Sequence, residues 1–411
     1  MGHPRRDPAP PPATRLLAGL LATAALTGTA GGALQLGVPL LALSLGAGSA
    51  EVALVRSISG AGMLLLVLPV GFLVDRFGSR RVYAIGAVAG AALAAAYGAG
   101  PSLPIVIALM GLEGVCAPLR FTSLTAAFYG RLSALGVGKA GWFKGSMSFG
   151  LTFLGPLIGG LLASDAGFAS LFAVVAGLHL CSAALGSLCD LDGDRPRGAA
   201  PPPRPGEQAA ELLRLLRTPP IRPALAAEFL GAATFASFSA FMVVIVVRVY
   251  GADATVASRI LIVEGLSFIL TAFACGRFGR HPRALLAAAG FAGAAGTVGT
   301  LAAVGPVSLA LAGVGIGLAS GLLHIYVASW IAGLREAGGK VSSIFQVAAG
   351  LGVTLGPLAA ALAGRHLPPQ AVLVIFAPLF LLLAGTVLWR PSPEPAVERD
   401  ALAPAEPSPT T

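Results

Sequence analysis

Long apolar segments separated by short charged or glycine-rich loops are the feature that most limits how this chain can fold. Each segment holds about 20 residues, which is the length a helix needs to cross hydrocarbon. Backbone amides in hydrocarbon must bond within their own segment, so each segment is predicted to be helical. The twelve predicted helices are 16–45, 52–74, 82–99, 104–128, 141–163, 168–188, 223–249, 254–274, 284–304, 306–330, 341–364 and 370–389. We therefore predict an all-α membrane protein.

The composition excludes most other classes of protein. Of the 411 residues, 56% are hydrophobic and 11% are charged, whereas soluble domains carry about 25% charged residues. The four cysteines have no C-x-x-C spacing, which indicates neither a metal site nor a disulfide framework. No phosphate-binding glycine loop or nucleophile motif is present in the sequence. We expect no enzymatic activity, no metal, no cofactor and no ATP-driven step.

The segments divide into two groups of six. A basic, proline-rich tail (1–15) precedes the first bundle (16–189), and a charged, proline-rich linker (190–222) separates it from the second (223–389). A proline- and acid-rich tail (390–411) closes the chain. We predict that both tails and the linker are cytoplasmic, and that both tails are disordered.

The distribution of positive charge predicts the orientation. Of the 27 lysines and arginines, four lie well inside predicted helices. Two lie on the side predicted to be external, Arg248 at the end of the helix 223–249 and Arg365 in a loop. All the others fall in the tails, the linker and every second loop, which places that side in the cytoplasm. A nucleic-acid surface would instead cluster its charge on one soluble element. The net charge of +9 therefore reflects topology.

Three short matches at an offset of 201 residues indicate an internal repeat. Arg76-Phe77-Gly78 recurs as Arg277-Phe278-Gly279, Leu154-Gly155-Pro156 as Leu355-Gly356-Pro357, and Gly138-Lys139 as Gly339-Lys340. A shift of six helices preserves orientation across the membrane. The sequence therefore predicts two parallel, pseudo-symmetric six-helix bundles.

The loop after the second helix carries the most specific motif. It reads G-x-L-x-D-R-x-G-x-R-R and contains Gly71, Asp75, Arg76, Gly78, Arg80 and Arg81. This pattern resembles the corresponding loop of major facilitator superfamily transporters. The resemblance implies alternating access between the two bundles. It also implies that Asp75 gates this motion by docking near residues 340–343, whereas the equivalent position in the second half is Gly276.

A second motif lies in the fifth helix and comprises Gly150, Gly155, Pro156, Gly159 and Gly160. It is similar to the G-P-x-x-G-G signature of this family, which is often associated with antiporters. Glycines permit close helix approach, and the proline permits a bend. The motif favours export, with generic close packing as the alternative.

Ionisable or polar residues inside helices are the candidates for the transport site, because charge in hydrocarbon requires a partner or a cavity. The resemblance implies that the first, fourth, seventh and tenth helices line a central cavity. The candidates for binding or coupling are Glu113, Arg120, Glu264, His324 and Gln35. Arg56 and Arg259 lie within two turns of the outer face, and we expect both to extend toward it.

Glu113 is the leading candidate for a proton-carrying residue, and a structural ion pair with an arginine of a neighbouring helix is the alternative. Arg120 follows seven residues later, which we expect to be too far for a direct bond within one straight helix. Proton-coupled exporters of the resembled family carry R-x-x-Q-G here, where this chain has Met110-Gly-Leu-Glu113-Gly114. Glu264 has the same two interpretations, and His324 either titrates or packs.

These observations together predict a secondary transporter that exports a small organic or drug-like molecule with the proton gradient as its energy source. Proton-coupled uptake of a small metabolite is the alternative, and a transport-inactive sensor or scaffold is a third possibility. We expect its partners to be the substrate and the lipid bilayer, and we expect a monomer. An excess of 24 arginines over 3 lysines hints at a GC-rich bacterial genome, so we expect a bacterial cytoplasmic membrane.

Overall fold

The structure, a computed structural model, describes residues 13–131, 135, 139–189, 191–192, 221–275, 278, 281–332 and 339–388. These ranges contain helices and short connections, with no strand among them. The first half contains α1 (Ala13–Ser44), α2 (Ser49–Phe77), α3 (Ser79–Gly98), α4 (Leu103–Tyr129), α5 (Ala140–Phe149, a π-helical turn Gly150–Leu154, then Gly155–Asp165) and α6 (Gly167–Leu188). The second half contains α7 (Arg222–Val244, then a π-helical turn Ile245–Val249), α8 (Ala254–Ala274), α9 (Pro282–Leu301), α10 (Pro306–Ala332), α11 (Gly339–Ala363) and α12 (a 3-10 turn Val372–Phe376, then Ala377–Leu388).

Eleven of these helices, α1 to α11, are long and apolar enough to cross a membrane over the described residues. The last apolar helix, Val372–Thr386, is shorter. The prediction of an all-α, multi-pass membrane protein is confirmed, while the twelfth span and the cytoplasmic termini stay predictions. Most of the predicted tails and linker lies outside the described residues.

The two halves repeat the same packing scheme. In the first half α1 packs on α5, α2 on α4, and α3 on both α4 and α6. In the second half α7 packs on α11, α8 on α10, and α9 on both α10 and α12. Each contact of one half therefore has its counterpart six helices later, as parallel repeats require.

The halves meet along two long seams, α2 against α11 and α5 against α8, with α7 enclosed at the centre. In its most apolar window 78% of α7 is buried, the highest share among the spans. Apolar side chains such as Ile85 on α3, Phe291 on α9 and Leu382 on α12 remain exposed. Exposed apolar side chains on outer helices are what a lipid-facing surface requires.

A single glycine turns the chain between α2 and α3. Gly78 has φ of +94°, a conformation that residues with a Cβ rarely adopt. An added Cβ would also lie 2.6 Å from an Asp192 carboxylate oxygen. The same carboxylate accepts a hydrogen bond from the Arg80 backbone N–H at 3.1 Å. The predicted charged loop is therefore shorter than expected, because α2 continues through Phe77 and α3 starts at Ser79.

Candidate functional site

Small residues line both seams between the halves. On the α2–α11 seam, a Cβ added to Gly60 would lie 2.6 Å from Thr354 Oγ1. On the α5–α8 seam, a Cβ added to Gly265 would lie 2.5 Å from Thr152 Cβ. Side chains larger than hydrogen cannot enter either contact without displacing a helix. The backbones of the two halves are therefore in close contact along both seams.

The α5 motif serves two interfaces. Gly150 and Gly155 pack against the backbone of α1, within the first half. Gly160 instead faces Ser258 of α8, whose hydroxyl donates to the Pro156 carbonyl at 2.7 Å. Since Pro156 has no N–H to donate, the helix before it adopts a π-helical turn, in which the Gly155 N–H bonds to the Gly150 carbonyl. The remaining member, Gly159, lies in ordinary contact with α1.

The halves also join at the end of the bundle that holds the α1–α2 connection. The Arg248 guanidinium, at the end of α7, donates to the backbone carbonyls of Gly46 and Ala47. Gly46 has φ of +89°, which orients this tight connection. Under the predicted topology this is the external end, and the contact joins the two halves there.

The charged motif lies at the opposite end of α2. Asp75 and Arg76 occupy the last turn of α2 and are exposed, and the Arg76 guanidinium lies 5.3 Å from the centre of the Phe77 ring. Arg80 and Arg81 are exposed in the first turn of α3. Gly71, one turn earlier, has open space around it. The proposed docking surface for Asp75 falls on side chains outside the described residues, so that gating contact stays a prediction.

Glu113 and Arg120 form a salt bridge in the interior of the first half. The side chains are 7% and 1% exposed, respectively. Arg120 also donates to the Gly86 carbonyl of α3 at 3.2 Å. The expectation that these residues cannot bond directly is wrong, because two long side chains together bridge the two helical turns between them.

The salt bridge is directed toward the outer helices of its own half. A Cβ added to Gly90 of α3 would meet both the Arg120 guanidinium and the His179 ring of α6. Neither ring nitrogen of His179 has a hydrogen-bond partner in the described part of the chain. Arg120 and its partner Glu113 are thus enclosed by α3, α4 and α6. This arrangement agrees with the structural alternative given for Glu113, except that its arginine lies on the same helix.

Glu264 lies in a different environment, near the middle of α8. It is 2% exposed and follows the start of its helix by ten residues, about 15 Å. A Cβ added to Gly313 of α10 would lie 3.5 Å from the Glu264 Cβ and 3.1 Å from the Phe238 ring of α7. Over the described residues no hydrogen bond or ion pair engages its carboxylate. It is a deep acidic group at the junction of three helices.

His324 belongs to a charged group nearer the α2–α3 end. Its ring lies 5.8 Å from that of Phe268, edge to face. Lys144 of α5 interacts electrostatically with both His324 of α10 and Glu228 of α7. Three helices thus contribute ionisable side chains to one region, a convergence that the sequence did not reveal. Gln35 is half-buried on α1.

The structure differs most from the sequence-based expectation in the surroundings of Arg56. We expected it to extend to the outer face, yet it is only 4% exposed. Arg259, the comparable residue on α8, is exposed as expected. The difference follows from the side of the helix on which each residue lies, which depth alone does not determine.

The sequence profile of the Major Facilitator Superfamily matches residues 20–334. The chain belongs to the Major Facilitator Superfamily. Similar solved structures include the nucleoside transporter NupG, with a TM-score of 0.71 and 14% identity, covering 91% of this chain and 98% of that one. The human organic anion transporter MFSD10 (TETRAN) has a TM-score of 0.69 and 18% identity, covering 92% of this chain and 100% of that one. No curated protein matches the sequence.

Membership in the Major Facilitator Superfamily establishes a membrane transporter rather than an enzyme. The solved structures are less than 25% identical to this chain and show the fold alone. Within that fold, α2, α5, α8 and α11 form the two seams. The candidate residues separate accordingly: Glu113 and Arg120 lie within one half, whereas Glu264 lies on a seam helix.

Proposed function

We propose that this protein is a proton-linked exporter of a small organic molecule, working by alternating access. Glu264 is the observation that carries the proposal: a carboxylate 2% exposed, with no partner among the described residues. Such a group in a transporter is a functional candidate by default. It can take up a proton when its cavity opens to one side and release it when the cavity opens to the other.

The location of Glu264 supports its participation in the motion of the two halves. Gly265, the next residue, is on the α5–α8 seam against Thr152. The Glu264 backbone carbonyl would meet a Cβ added to Gly317 of α10. A change in the α5–α8 contact would therefore alter the surroundings of this carboxylate. Proton binding and the conformational equilibrium are then linked, as two-state coupling requires.

Export is favoured by the α5 motif, because the similar family signature is often associated with antiporters. Uptake is the second candidate, because Met110-Gly-Leu-Glu113-Gly114 departs from the R-x-x-Q-G pattern of proton-coupled exporters. The salt bridge of Arg120 with Glu113 supports neither direction, since it lies away from the seams. We also propose a monomer in a bacterial cytoplasmic membrane.

The proposal is tested with the full-length protein in proteoliposomes. Radiolabelled uridine and p-aminohippurate serve as a neutral and an anionic probe, and a pH-sensitive dye reports proton movement. Glu264→Gln is expected to retain exchange of a transported probe while losing accumulation driven by a pH gradient. Glu51→Gln is the control, because Glu51 is exposed and its only described role is to accept the Gly48 N–H, which glutamine can also do.

Three results would contradict parts of this proposal. Accumulation by Glu264→Gln equal to wild type would exclude Glu264 as the coupling residue. Proton movement in the same direction as the probe would establish uptake by symport. Absence of exchange for every compound in a wider panel of small organic molecules would favour the scaffold alternative.

A further inference from the structure

The Arg56 guanidinium is a buried positive charge with no counter-ion among the described residues. The residue is 4% exposed, and its Nε has no hydrogen-bond partner. Between described residues, the salt bridge that forms joins Arg120 to Glu113 and does not involve Arg56. An ionised group in such surroundings is costly unless something neutralises it.

Helix geometry places Arg56 on the inward side of α2. Leu54 and Leu65, which are exposed, lie roughly 160–180° around the helix from Arg56 at 3.6 residues per turn. Ser59, one turn further, contacts Gly114 of α4, whereas Gly60 contacts Thr354 of α11. Arg56 therefore points between α4, which belongs to its own half, and α11, which belongs to the other. This is the space between the two halves.

Three carboxylates of the described residues are engaged by other groups. Glu51 accepts the Gly48 N–H, Asp253 accepts the Val256 N–H, and Glu113 binds Arg120. Glu264 lies on α8 of the other half, and no electrostatic interaction joins it to Arg56. The site therefore has an excess of positive charge over the described residues.

We infer that Arg56 binds the anionic group of the transported molecule, which is consequently a carboxylate- or phosphate-bearing organic anion. The planar guanidinium can bind either group through two parallel hydrogen bonds. The burial of Arg56, at 4% exposure, limits the access of water and strengthens that pairing. The inference rests on the proposed transport function and adds the class of substrate to it.

The experiment measures thermal unfolding of the full-length protein in nanodiscs, using matched pairs that differ in the anionic group. The pairs are benzoate with benzamide, nicotinate with nicotinamide, and uridine 5′-monophosphate with uridine. Wild type should be stabilised more by the anionic member of at least one pair. In Arg56→Gln the affinity for that member should fall at least about tenfold, whereas Arg56→Lys should keep part of the preference. Arg259→Gln removes an exposed arginine of the other half and should leave the affinity unchanged.

A titration with sodium chloride at low ionic strength distinguishes an inorganic anion from an organic one. Stabilisation of wild type by chloride alone, with no preference within any pair, would overturn the substrate assignment. An anion preference that persists in Arg56→Gln would do the same. The melting temperature of Arg56→Gln without ligand should not fall, because the arginine loses no partner among the described residues. A fall of several degrees, or failure to fold, would show a structural role and refute the inference.

Failure of this inference can be told apart from failure of the proposed function. If uridine exchanges in proteoliposomes while Arg56→Gln exchanges it equally and no pair shows an anion preference, transport stands and the anion site is refuted. If wild type prefers anions through Arg56 but transports no probe, the anion site stands and the transport proposal is contradicted.

Discussion

Breaking the salt bridge between Glu113 and Arg120 should destabilise the first half strongly. Both side chains are almost fully buried, at 7% and 1% exposure. Glu113→Gln leaves Arg120 unpaired, and Arg120→Met leaves Glu113 unpaired. Removing one partner of a buried ion pair typically costs about 3–5 kcal/mol, because the remaining charge stays desolvated. Replacing both removes both charges, so the double variant should recover most of the loss.

The assay is a double-mutant cycle on the full-length protein, read by thermal unfolding in detergent and by urea or guanidinium denaturation where it is reversible. The two single changes together should cost about 3 kcal/mol or more beyond the double variant. Transport provides a second measurement, since a salt bridge enclosed by α3 and α6 should alter stability without altering the pH dependence of transport. Additive effects of the two changes would refute the coupling. A shifted pH profile in Glu113→Gln, with unchanged stability, would restore the proton-carrying role for Glu113.

Three further predictions concern helix ends and seams. Asp75→Asn should impair transport more than Arg283→Gln in the second-half loop, because only the first loop carries the acidic residue; equal effects in a transport assay would mean that both loops only set topology. Gly265→Ala should lower transport by separating α5 from α8. The control Gly177→Ala places its methyl group in open space and should be neutral or stabilising by up to about 1 kcal/mol. Similar losses of transport in both variants would contradict a role for the α5–α8 seam. Hydrogen bonds from Thr255 and Val256 lower the pKa of Asp253 below its usual value of 3.8. The stabilisation by this exposed N-cap should therefore be fully present above about pH 4 and be lost as the pH falls through the lowered pKa. Asp253→Ala should accordingly lower the melting temperature more at pH 7 than at pH 3; an equal difference at the two pH values would contradict this.

The motifs of the seams could be located from sequence but not assigned to an interface. Gly150, Gly155 and Gly160 share one pattern, yet the first two contact α1 and the third contacts α8. A glycine spacing predicts that some backbone will approach closely. The identity of the approaching helix depends on residues more than 90 positions away. For the same reason, the sequence could not pair Gly265 with Thr152.

The sequence by itself determined the features that depend only on neighbouring positions along the chain. Apolar segments of membrane-spanning length are a local property, and they predicted the fold class correctly. The linker charges are also local, and the orientation that they predict stays a prediction. The tertiary structure decided which side of each helix is enclosed. Arg56 and Arg259 lie within two turns of the same predicted face, yet one is buried between the halves and the other is exposed. Glu113 and Arg120 bind each other because α3 and α6 enclose them together. Burial depends on the angular position of a side chain relative to neighbouring helices, and that position is fixed only when the helices pack.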